Sequence, residues 1–185
     1  FNVLETLRYA IVVNSKMAQE IVIILSRLLR YCIHMEQTTV RLEEDLRYIN
    51  DYLRLHELRF KDRLTYSVNV DERAEAALVP RLMLQPIIEN SIKYGYRSKE
   101  RLHIAITGTV EGSNLIIKVE DNGGGMSEQR LQEVRSVMDD VDNCTEHIGL
   151  HNLHRRLLLM YGGAYGVKVE SVEGEGTTIH LVTPY

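Results

Sequence analysis

The chain has 185 residues, of which 44% are hydrophobic and 26% are charged, enough for one ordinary domain with a helical appendage. A net charge of -4 provides no basic surface for nucleic acid, so no nucleic-acid partner is expected. Cys32 and Cys144 are far apart and form no CxxC pair, which argues against a structural zinc site and suits a reducing compartment.

Residues 1–60 have the apolar spacing of amphipathic helices. A short first helix, with Leu4, Leu7 and Ile11 on one face, is predicted before Asn14. Two longer helices follow, separated by a polar turn at residues 36–39. Their apolar positions advance in steps of three and four, which indicates the seam of a bundle or coiled coil. The first seam consists of Ala18, Ile21, Leu25, Leu28 and Cys32, and the second of Leu42, Leu46, Ile49, Leu53, His56 and Phe60.

After residue 60 the apolar pattern changes to that of a sheet with helices. Alternating apolar and polar residues predict strands at residues 64–70, 102–110, 115–120, 167–172 and 177–182. Helices are predicted at residues 82–94, which Pro80 can help to start, and at 128–138 and 149–161. Hairpin turns at residues 111–114 and 173–176 make the sheet partly antiparallel. The prediction is an α+β fold, a two-layer α/β sandwich with a mixed sheet and three helices, preceded by a helical hairpin.

A first polar cluster lies on the predicted helix at residues 82–94. Glu89, Asn90 and Lys93 share one edge of this helix, while three isoleucines can face the sheet. Such an edge suits Mg²⁺, which takes few protein oxygens, keeps waters and is shared with phosphates. Taken alone, the pattern favours an ordinary surface helix with an ion pair between Glu89 and Lys93.

Two further clusters contain glycine. The first, at residues 121–126, follows a strand directly, so its glycines let the backbone approach a ligand, and Asp121 can accept a hydrogen bond from an amino group such as that of adenine. It has neither Rossmann nor Walker A spacing, and alone it also fits a loose surface turn. The second is Gly149, at the start of a predicted helix whose first backbone N–H groups are free to bind phosphates. Alone, it also fits an ordinary helix start. Residues 174–178 read as a hairpin turn.

The order and spacing of these clusters are more specific than any of them singly. The stretches are QPIIENSIKYG, DNGGGM, IGLHNLHRRL, YGG and GEGTTIHL, with RYINDYL and LRF in the preceding helix. Together they resemble the ATP-binding fold shared by histidine kinases, DNA gyrase, mismatch-repair ATPases and the large heat-shock chaperones. The resemblance is greatest to the LytS-like branch of sensor histidine kinases, and it covers nearly the whole chain.

The resemblance implies roles for individual residues. Asn90 would be the Mg²⁺ ligand, and Glu89 would polarise the attacking group or orient water near the metal. Lys93 would contact phosphate oxygens, and Tyr94 would lie against the adenine. The remaining nucleotide-binding residues implied are Asp121, which accepts from the adenine amino group, Gly123, Gly125, Met126, Gly149, Leu150 and Thr177. Residues 126–148 would form a mobile ATP lid.

The same resemblance implies an activity and an organisation. Residues 1–61 would form an N-terminally truncated dimerisation and phosphotransfer segment, and residues 62–185 the ATP-binding catalytic domain. The enzyme would be a histidine kinase that uses ATP and Mg²⁺, works as a homodimer and passes the phosphoryl group to a response regulator. The acceptor histidine would lie three residues before Phe1, because the family motif His-Phe-Leu-Phe-Asn is interrupted here as Phe1-Asn2. We therefore expect no autophosphorylation by these residues alone.

The expected location is the cytoplasmic portion of a membrane-anchored sensor, with any membrane segments upstream. The longest apolar run, residues 21–25, is too short to cross a bilayer. Three positions depart from the pattern of the family: Pro86, Tyr94 and His147, the last replacing the first lid glycine. Two alternatives stay open. One is another ATP-binding task on the same fold, such as an anti-sigma-type kinase or an ATPase clamp; the other is a non-catalytic nucleotide-binding or dimerisation module.

Overall fold

Helices form most of the N-terminal part of the chain. The computed structural model describes residues 2–33, 37–96, 100–139 and 148–185. Up to residue 60 the helices are α1 (Asn2–Val13), α2 (Ser15–Ile33) and α3 (Leu42–Phe60). Beyond a single 3-10 turn they are α4 (Glu72–Glu75), α5 (Gln85–Gly95), α6 (Glu128–Asp139) and α7 (Ile148–Tyr161). The short first helix and the two longer ones are thus as predicted, whereas the single turn α4 lies between a predicted strand and a predicted helix, where no element is predicted.

The seam on α2 differs from the prediction at two positions. Ala18, Ile21 and Leu28 are buried as expected, but Ile24 is buried in place of the half-buried Leu25, and Cys32 is exposed. A straight α-helix drifts by about 20° per heptad from a 3.5-residue repeat, so a seam extended over two heptads rotates out of the interface at its end.

On α1 the predicted face is also displaced. Leu4 and Ile11 are exposed, Leu7 is half-buried, and Ala10 is the fully buried residue. The helix has apolar residues around most of its circumference, so the spacing alone does not select the side that packs against α2 and α3.

A row of aromatic rings follows α3. Four of its members recur at every fourth position, which places them on one face of the helix. The aromatic row consists of Tyr31, Tyr48, Tyr52, His56, Phe60 and Tyr96, and the centroids of successive rings are 4.2–6.5 Å apart. The row begins on α2 and ends just beyond the last residue of α5, so it connects the helical segment to a helix of the following domain.

His56 is the one imidazole within the aromatic row. It lies between the rings of Tyr52 and Phe60, and its Nδ1 is buried without a hydrogen-bond partner among the described residues. Burial, and then the neighbouring charge of Arg59, lowers the pKa of His56 to about 4. The imidazole therefore stays neutral in the folded protein, where the sequence predicts a packed or partly paired ring.

A pH-dependent loss of stability follows from this burial. Below about pH 6.5 the His56 imidazole binds a proton in the unfolded chain but stays unprotonated in the folded protein. The free energy of unfolding should therefore fall by about 2 kcal/mol between pH 7.5 and pH 5. We expect His56→Phe to remove this part of the loss, because Phe fits the row and does not titrate. Urea unfolding at both pH values measures it, and an equal fall in parent and variant would contradict the assignment.

The described residues contain seven strands, which belong to two sheets: β1 (Thr39–Arg41), β2 (Leu64–Val70), β3 (Leu78–Pro80), β4 (Leu102–Glu111), β5 (Asn114–Asp121), β6 (Gly166–Val172) and β7 (Gly176–Pro184). Five of them form the main sheet, in the order β2-β4-β5-β7-β6. Since β2 pairs parallel with β4 and the other neighbours pair antiparallel, the sheet is mixed. Alternate residues such as Ile104, Ile117 and Leu181 are buried under α5, α6 and α7. The predicted α+β sandwich is confirmed.

A second, two-stranded sheet was not predicted. β1 pairs antiparallel with β3, with Val40 opposite Val79, so the predicted turn at residues 36–39 in fact reaches a strand at Thr39. Both strands have only three residues, too few for their own pattern to identify them. This small sheet attaches the helical segment to the residues that precede α5.

The start of α5 also differs from the prediction. The helix begins at Gln85 rather than at residue 82, because Leu82 has a φ of 58°, outside the helical region. Pro80 belongs to β3 and starts no helix; Pro86 occupies the first turn of α5 instead.

Some sequence expectations concern residues outside the described ones: Phe1, Glu36, Cys144 and His147. Residues 140–147 of the predicted lid also belong to this group. Within the described ranges, no helix combines the length and the apolarity needed to cross a membrane.

Candidate functional site

A cavity of about 370 Å³ lies between the helical layer and the ends of β5 and β7. α5 forms one wall, the glycine loop after β5 another, and α6 with the start of α7 the third. Its polar and glycine lining consists of Asn90, Ser91, Tyr94, Gly95, Asp121, Gly124, Gly125, Arg130 and Thr177. Its apolar lining consists of Ile87, Met126, Val134, Leu150, Val169 and Ile179. Seven of the residues that the sequence singles out thus meet here: Asn90, Tyr94, Asp121, Gly125, Met126, Leu150 and Thr177.

Asp121 is the acidic side chain of this cavity. It is the last residue of β5, opposite Thr177 of β7, on the same side of the sheet as the buried Val119. Its Oδ2 accepts a hydrogen bond from the Ser91 hydroxyl at 2.8 Å, and its Oδ1 accepts one from the backbone N–H of Gly123 at 3.0 Å. The carboxyl group is therefore fixed in orientation.

Two opposing effects act on the pKa of Asp121. Burial raises it above its ordinary value, and the hydrogen bonds from Ser91 and from the amides of Gly123 and Thr177 lower it, with burial the larger effect. A half-buried carboxylate with unused lone pairs is suited to accept a hydrogen bond from a ligand donor.

The glycine loop is held against the β6–β7 turn. Gly125 has a φ of 61°, and a Cβ at this position would overlap the carbonyl oxygen of Val172, so only glycine fits. The amide of Gly174 donates to the carbonyl of Gly124 at 2.7 Å, and the amide of Met126 donates to Oγ of Ser171 at 2.9 Å. The two turns that the sequence indicates separately are in contact and form one wall.

α5 presents different residues to the cavity and to its surroundings. Asn90 and Tyr94, four residues apart, line the cavity. Glu89 and Lys93 are exposed and are absent from its lining. Glu89 accepts a hydrogen bond from the Gln85 side chain at 2.6 Å. The structure thus brings two of the four predicted α5 residues into the cavity.

Glu89 lies on the side of α5 that faces α3. Burial, and then the charge of Glu89, raises the pKa of Tyr52 in the aromatic row to about 12. The Lys93 ammonium is 5.0 Å from the centroid of the Tyr94 ring, a distance typical of a cation–π contact. These two charged side chains, four residues apart, therefore lie on one side of Asn90, next to the cavity rather than in its lining.

The α7 side of the cavity is apolar where the sequence predicts backbone contacts. Leu150 lines it, whereas Gly149 is exposed beside α5, where an added Cβ would lie 3.3 Å from Cβ of Pro86. Gly123 is also outside the lining and contributes through its N–H to Asp121.

Three polar side chains of this region are missed by sequence reasoning: Ser91, Arg130 and Ser171. Ser91 follows Asn90 directly, and its hydroxyl position shows only when β5 is placed beside α5. Arg130 lines the cavity and also pairs with Glu133 at 2.6 Å. Ser171 joins the glycine loop to the start of β7. Its hydroxyl accepts from the amide of Met126, donates to the carbonyl of Gly176 and contacts the Thr177 hydroxyl.

The donor set at this cavity limits the metals that it can hold. Among the described residues there is no cluster of three or more His, Cys, Asp or Glu side chains arranged for a metal ion. One amide oxygen from Asn90 suits Mg²⁺ that is shared with a phosphate ligand and water, and does not suit a metal held by protein alone.

Comparisons with known proteins identify the families to which two parts of the chain are similar. Residues 1–64 match the family described as histidine kinase, and residues 76–185 match the histidine kinase-, DNA gyrase B-, and HSP90-like ATPase family. Sensor protein kinase HptS of Staphylococcus aureus strain USA300 is 38% identical over 184 residues, which are 100% of this chain and 35% of that protein. The chain thus spans about a third of the length of the curated relatives it matches.

Two solved structures are similar in fold. The catalytic domain of histidine kinase ThkA superposes with a TM-score of 0.61 at 17% identity, over 81% of this chain and 97% of that one. The blue-light activated histidine kinase EL346 of Erythrobacter litoralis gives a TM-score of 0.54 at 17% identity, over 91% of this chain and 45% of that one. At such identities the likeness establishes the fold alone.

Proposed function

Because the chain belongs to the histidine kinase-, DNA gyrase B-, and HSP90-like ATPase family and carries a histidine kinase segment in front of the ATPase fold, we propose that it is the catalytic, ATP-binding portion of a two-component sensor histidine kinase. It transfers the γ-phosphoryl group of ATP to a histidine, and that group passes onward to a response regulator. Residues 1–61 serve dimerisation and phosphotransfer, and residues 62–185 hold the nucleotide.

The observation that carries the proposal is the cavity in which Asp121 and Asn90 meet. Asp121 accepts a hydrogen bond from the adenine amino group, and Tyr94, Met126 and Leu150 contact the base and sugar. Thr177 and the amides of the glycine loop complete this end. Mg²⁺, when bound through the side-chain oxygen of Asn90, supplies charge neutralisation at the phosphates.

Residues outside the cavity lining act at the phosphate end. Lys93 is exposed next to Tyr94 and is long enough to reach phosphate oxygens, and Glu89, on the α3 side of Asn90, faces the segment that presents the acceptor. Gly149 begins the lid helix. The protein acts by positioning and by charge stabilisation, since phosphoryl transfer leaves little covalent chemistry to the protein.

The proposed partner for the helical segment is a second copy of the chain. Apolar side chains on α1 and α2 are exposed to an extent unusual for a solvated surface, with Ile11 at 63%, Val12 at 84% and Ile23 at 57%. A homodimer through these helices would cover them. The chain is proposed to be the cytoplasmic portion of a membrane-anchored sensor.

Phosphate chemistry tests the proposal. The full-length protein that contains this chain, incubated with Mg²⁺ and γ-labelled ATP, should acquire a phosphate that is labile in acid and stable in alkali, as expected for phosphohistidine. We expect Asn90→Ala to abolish it and the described histidines to stay unlabelled, because the acceptor is proposed to precede Phe1.

Other outcomes identify the alternatives. Acid-stable phosphate on a separate protein would contradict the proposal and favour an anti-sigma-type kinase. Hydrolysis of ATP without a phosphoprotein would favour an ATPase clamp. Binding of ATP without hydrolysis or transfer would favour a non-catalytic nucleotide-binding module.

A further inference from the structure

Asp45 is a fully buried carboxylate outside the proposed nucleotide site. It lies on α3 with an exposure of 0%, and its hydrogen bonds lead to two different parts of the chain. Oδ1 accepts from the Tyr31 hydroxyl of α2 at 2.9 Å and from the backbone N–H of Leu82 at 2.8 Å, and Oδ2 accepts from the N–H of Leu84 at 3.1 Å. A buried aspartate is kept only when its oxygens are satisfied, and here donors from α2 and from the turn before α5 satisfy them.

The turn that Asp45 holds is the start of α5. Leu84 is the residue at the N-cap position of α5, and no side chain of its own caps the helix. Asp45 accepts from the N–H of the N-cap residue itself, as the N3 Glu or Gln of a capping box does, and it lies at the positive end of the helix dipole. It also compensates for the unfavourable φ of 58° at Leu82. α5 is thus capped by a side chain from a different helix.

The same turn is bound by α7. The Arg156 guanidinium donates to the carbonyl of Arg81 at 2.8 Å and to the carbonyl of Thr38 at 3.2 Å. The Arg81 guanidinium in turn lies 3.9 Å from the centroid of the Tyr31 ring. Residues 81–84 therefore contact α2, α3 and α7, and the last of these carries Leu150 into the cavity.

α3 also contacts the other end of α5. The Phe60 and Tyr96 rings are 4.2 Å apart between centroids, and Tyr96 follows the last residue of α5. From Asp45 to Phe60 α3 rises about 22 Å, and from Leu84 to Tyr96 α5 rises about 18 Å. Asn90 lies midway along the helix that is held at both ends.

We propose that Asp45 is a positioning residue for the nucleotide site: by capping α5 from α3, it makes the position of Asn90 depend on the position of the helical segment. The expected effect on nucleotide binding rests on the proposed function, because it assumes that Asn90 binds Mg²⁺ together with the nucleotide. A displacement of α2 or α3 would move the start of α5 through the hydrogen bonds of Asp45, and so would move the cavity wall that carries Asn90. Nucleotide binding would in turn change the position of α2 and α3, because such a coupling is reciprocal.

The test is Asp45→Asn, in which one acceptor oxygen is replaced by a donor. Mg²⁺-ATP affinity should fall about ten-fold, in the range of typical coupling between sites. Hydrogen exchange in residues 85–90 should become faster, while exchange in β5 and β7 stays as in the parent. A role confined to general stability would instead speed exchange across the whole sheet and leave the affinity of the folded protein unchanged.

A control and a milder variant make the test decisive. Asp51→Asn is the control, because Asp51 is on the same helix and, among the described residues, pairs with Arg27 at 3.2 Å within the helical segment; its Mg²⁺-ATP affinity should equal that of the parent. Tyr31→Phe removes one donor to Asp45 and keeps both backbone amides, so we expect a smaller loss of about two- to five-fold, which also serves if Asp45→Asn does not fold.

The outcomes separate the two proposals. Unchanged affinity in both folded variants, or an equal loss in Asp51→Asn, would overturn the positioning role. A parent that binds no Mg²⁺-ATP would contradict the proposed function; faster exchange confined to α5 in Asp45→Asn would even then support the capping of α5 by Asp45.

Discussion

An Asn90→Ala variant is expected to lose the Mg²⁺-dependent part of ATP binding and to keep its fold. The side chain lies at the cavity edge of α5, so its truncation removes the proposed ligand and leaves the buried face of the helix, Ile87, Ile88 and Ile92, intact. Changes to groups that merely orient metal ligands cost about 10–100-fold in metal affinity, so loss of the ligand itself should cost about 100-fold or more. Calorimetric ATP titration with and without Mg²⁺ measures it.

Asn69→Ala is the matched control for this experiment. Asn69 is exposed on the edge strand β2 and belongs to no wall of the cavity. It should leave both titrations as in the parent, since surface substitutions usually stay within about 0.5 kcal/mol. An identical Mg²⁺ enhancement in the parent and in Asn90→Ala would remove Asn90 as the ligand and would favour the reading of α5 as a plain surface helix.

An Asp121→Asn variant is expected to lose about ten- to hundred-fold in ATP affinity, the equivalent of one hydrogen bond to a charged group. The fold should persist, because the new amide can accept from Gly123 and donate to the Ser91 hydroxyl. The parent should prefer ATP to GTP, whose base presents a carbonyl in place of the amino group. Calorimetry of both nucleotides with both proteins checks the two expectations.

Glu120→Gln is the matched control for Asp121→Asn. Glu120 is the neighbouring residue on the opposite face of β5, where it pairs with Lys118 at 2.7 Å. Its substitution should change neither nucleotide affinity nor the preference for ATP. Equal affinities of the parent for ATP and GTP would contradict the contact between Asp121 and the adenine amino group.

The elements with long periodic patterns are the ones that the sequence predicts well. The strand at residues 115–120 and the helix at residues 149–161 are found within one residue of their predicted limits, because each has its own apolar repeat. The three-residue strands β1 and β3 have no repeat of their own, and they form only because they pair with each other across the 36 residues between Arg41 and Leu78. The positive φ of Leu82 is likewise supported from a distance, by the hydrogen bond that its N–H donates to the Asp45 side chain.

The candidate site divides in the same way. Asp121 and the glycines next to it are adjacent in sequence, so their cluster is visible before folding. Ser91, Arg130 and Ser171 enter the site through sheet register and helix packing, which no local pattern encodes. Glu89 and Lys93 share an edge of α5 with Asn90, yet the cavity occupies only part of that edge, so spacing alone assigned more residues to the lining than the geometry admits.

The small β1–β3 sheet bears on modular exchange of such domains. A boundary between residues 61 and 62 separates β1 from its partner β3. It also separates the two partners of the hydrogen bond that the Leu42 amide donates to the Ala77 carbonyl at 2.8 Å. A chimaera that takes its helical segment from a relative must therefore also take residues 78–84 from that relative. Otherwise one parent would supply the Asp45 carboxylate and β1, and the other parent would supply β3 and the turn before α5, which must fit them.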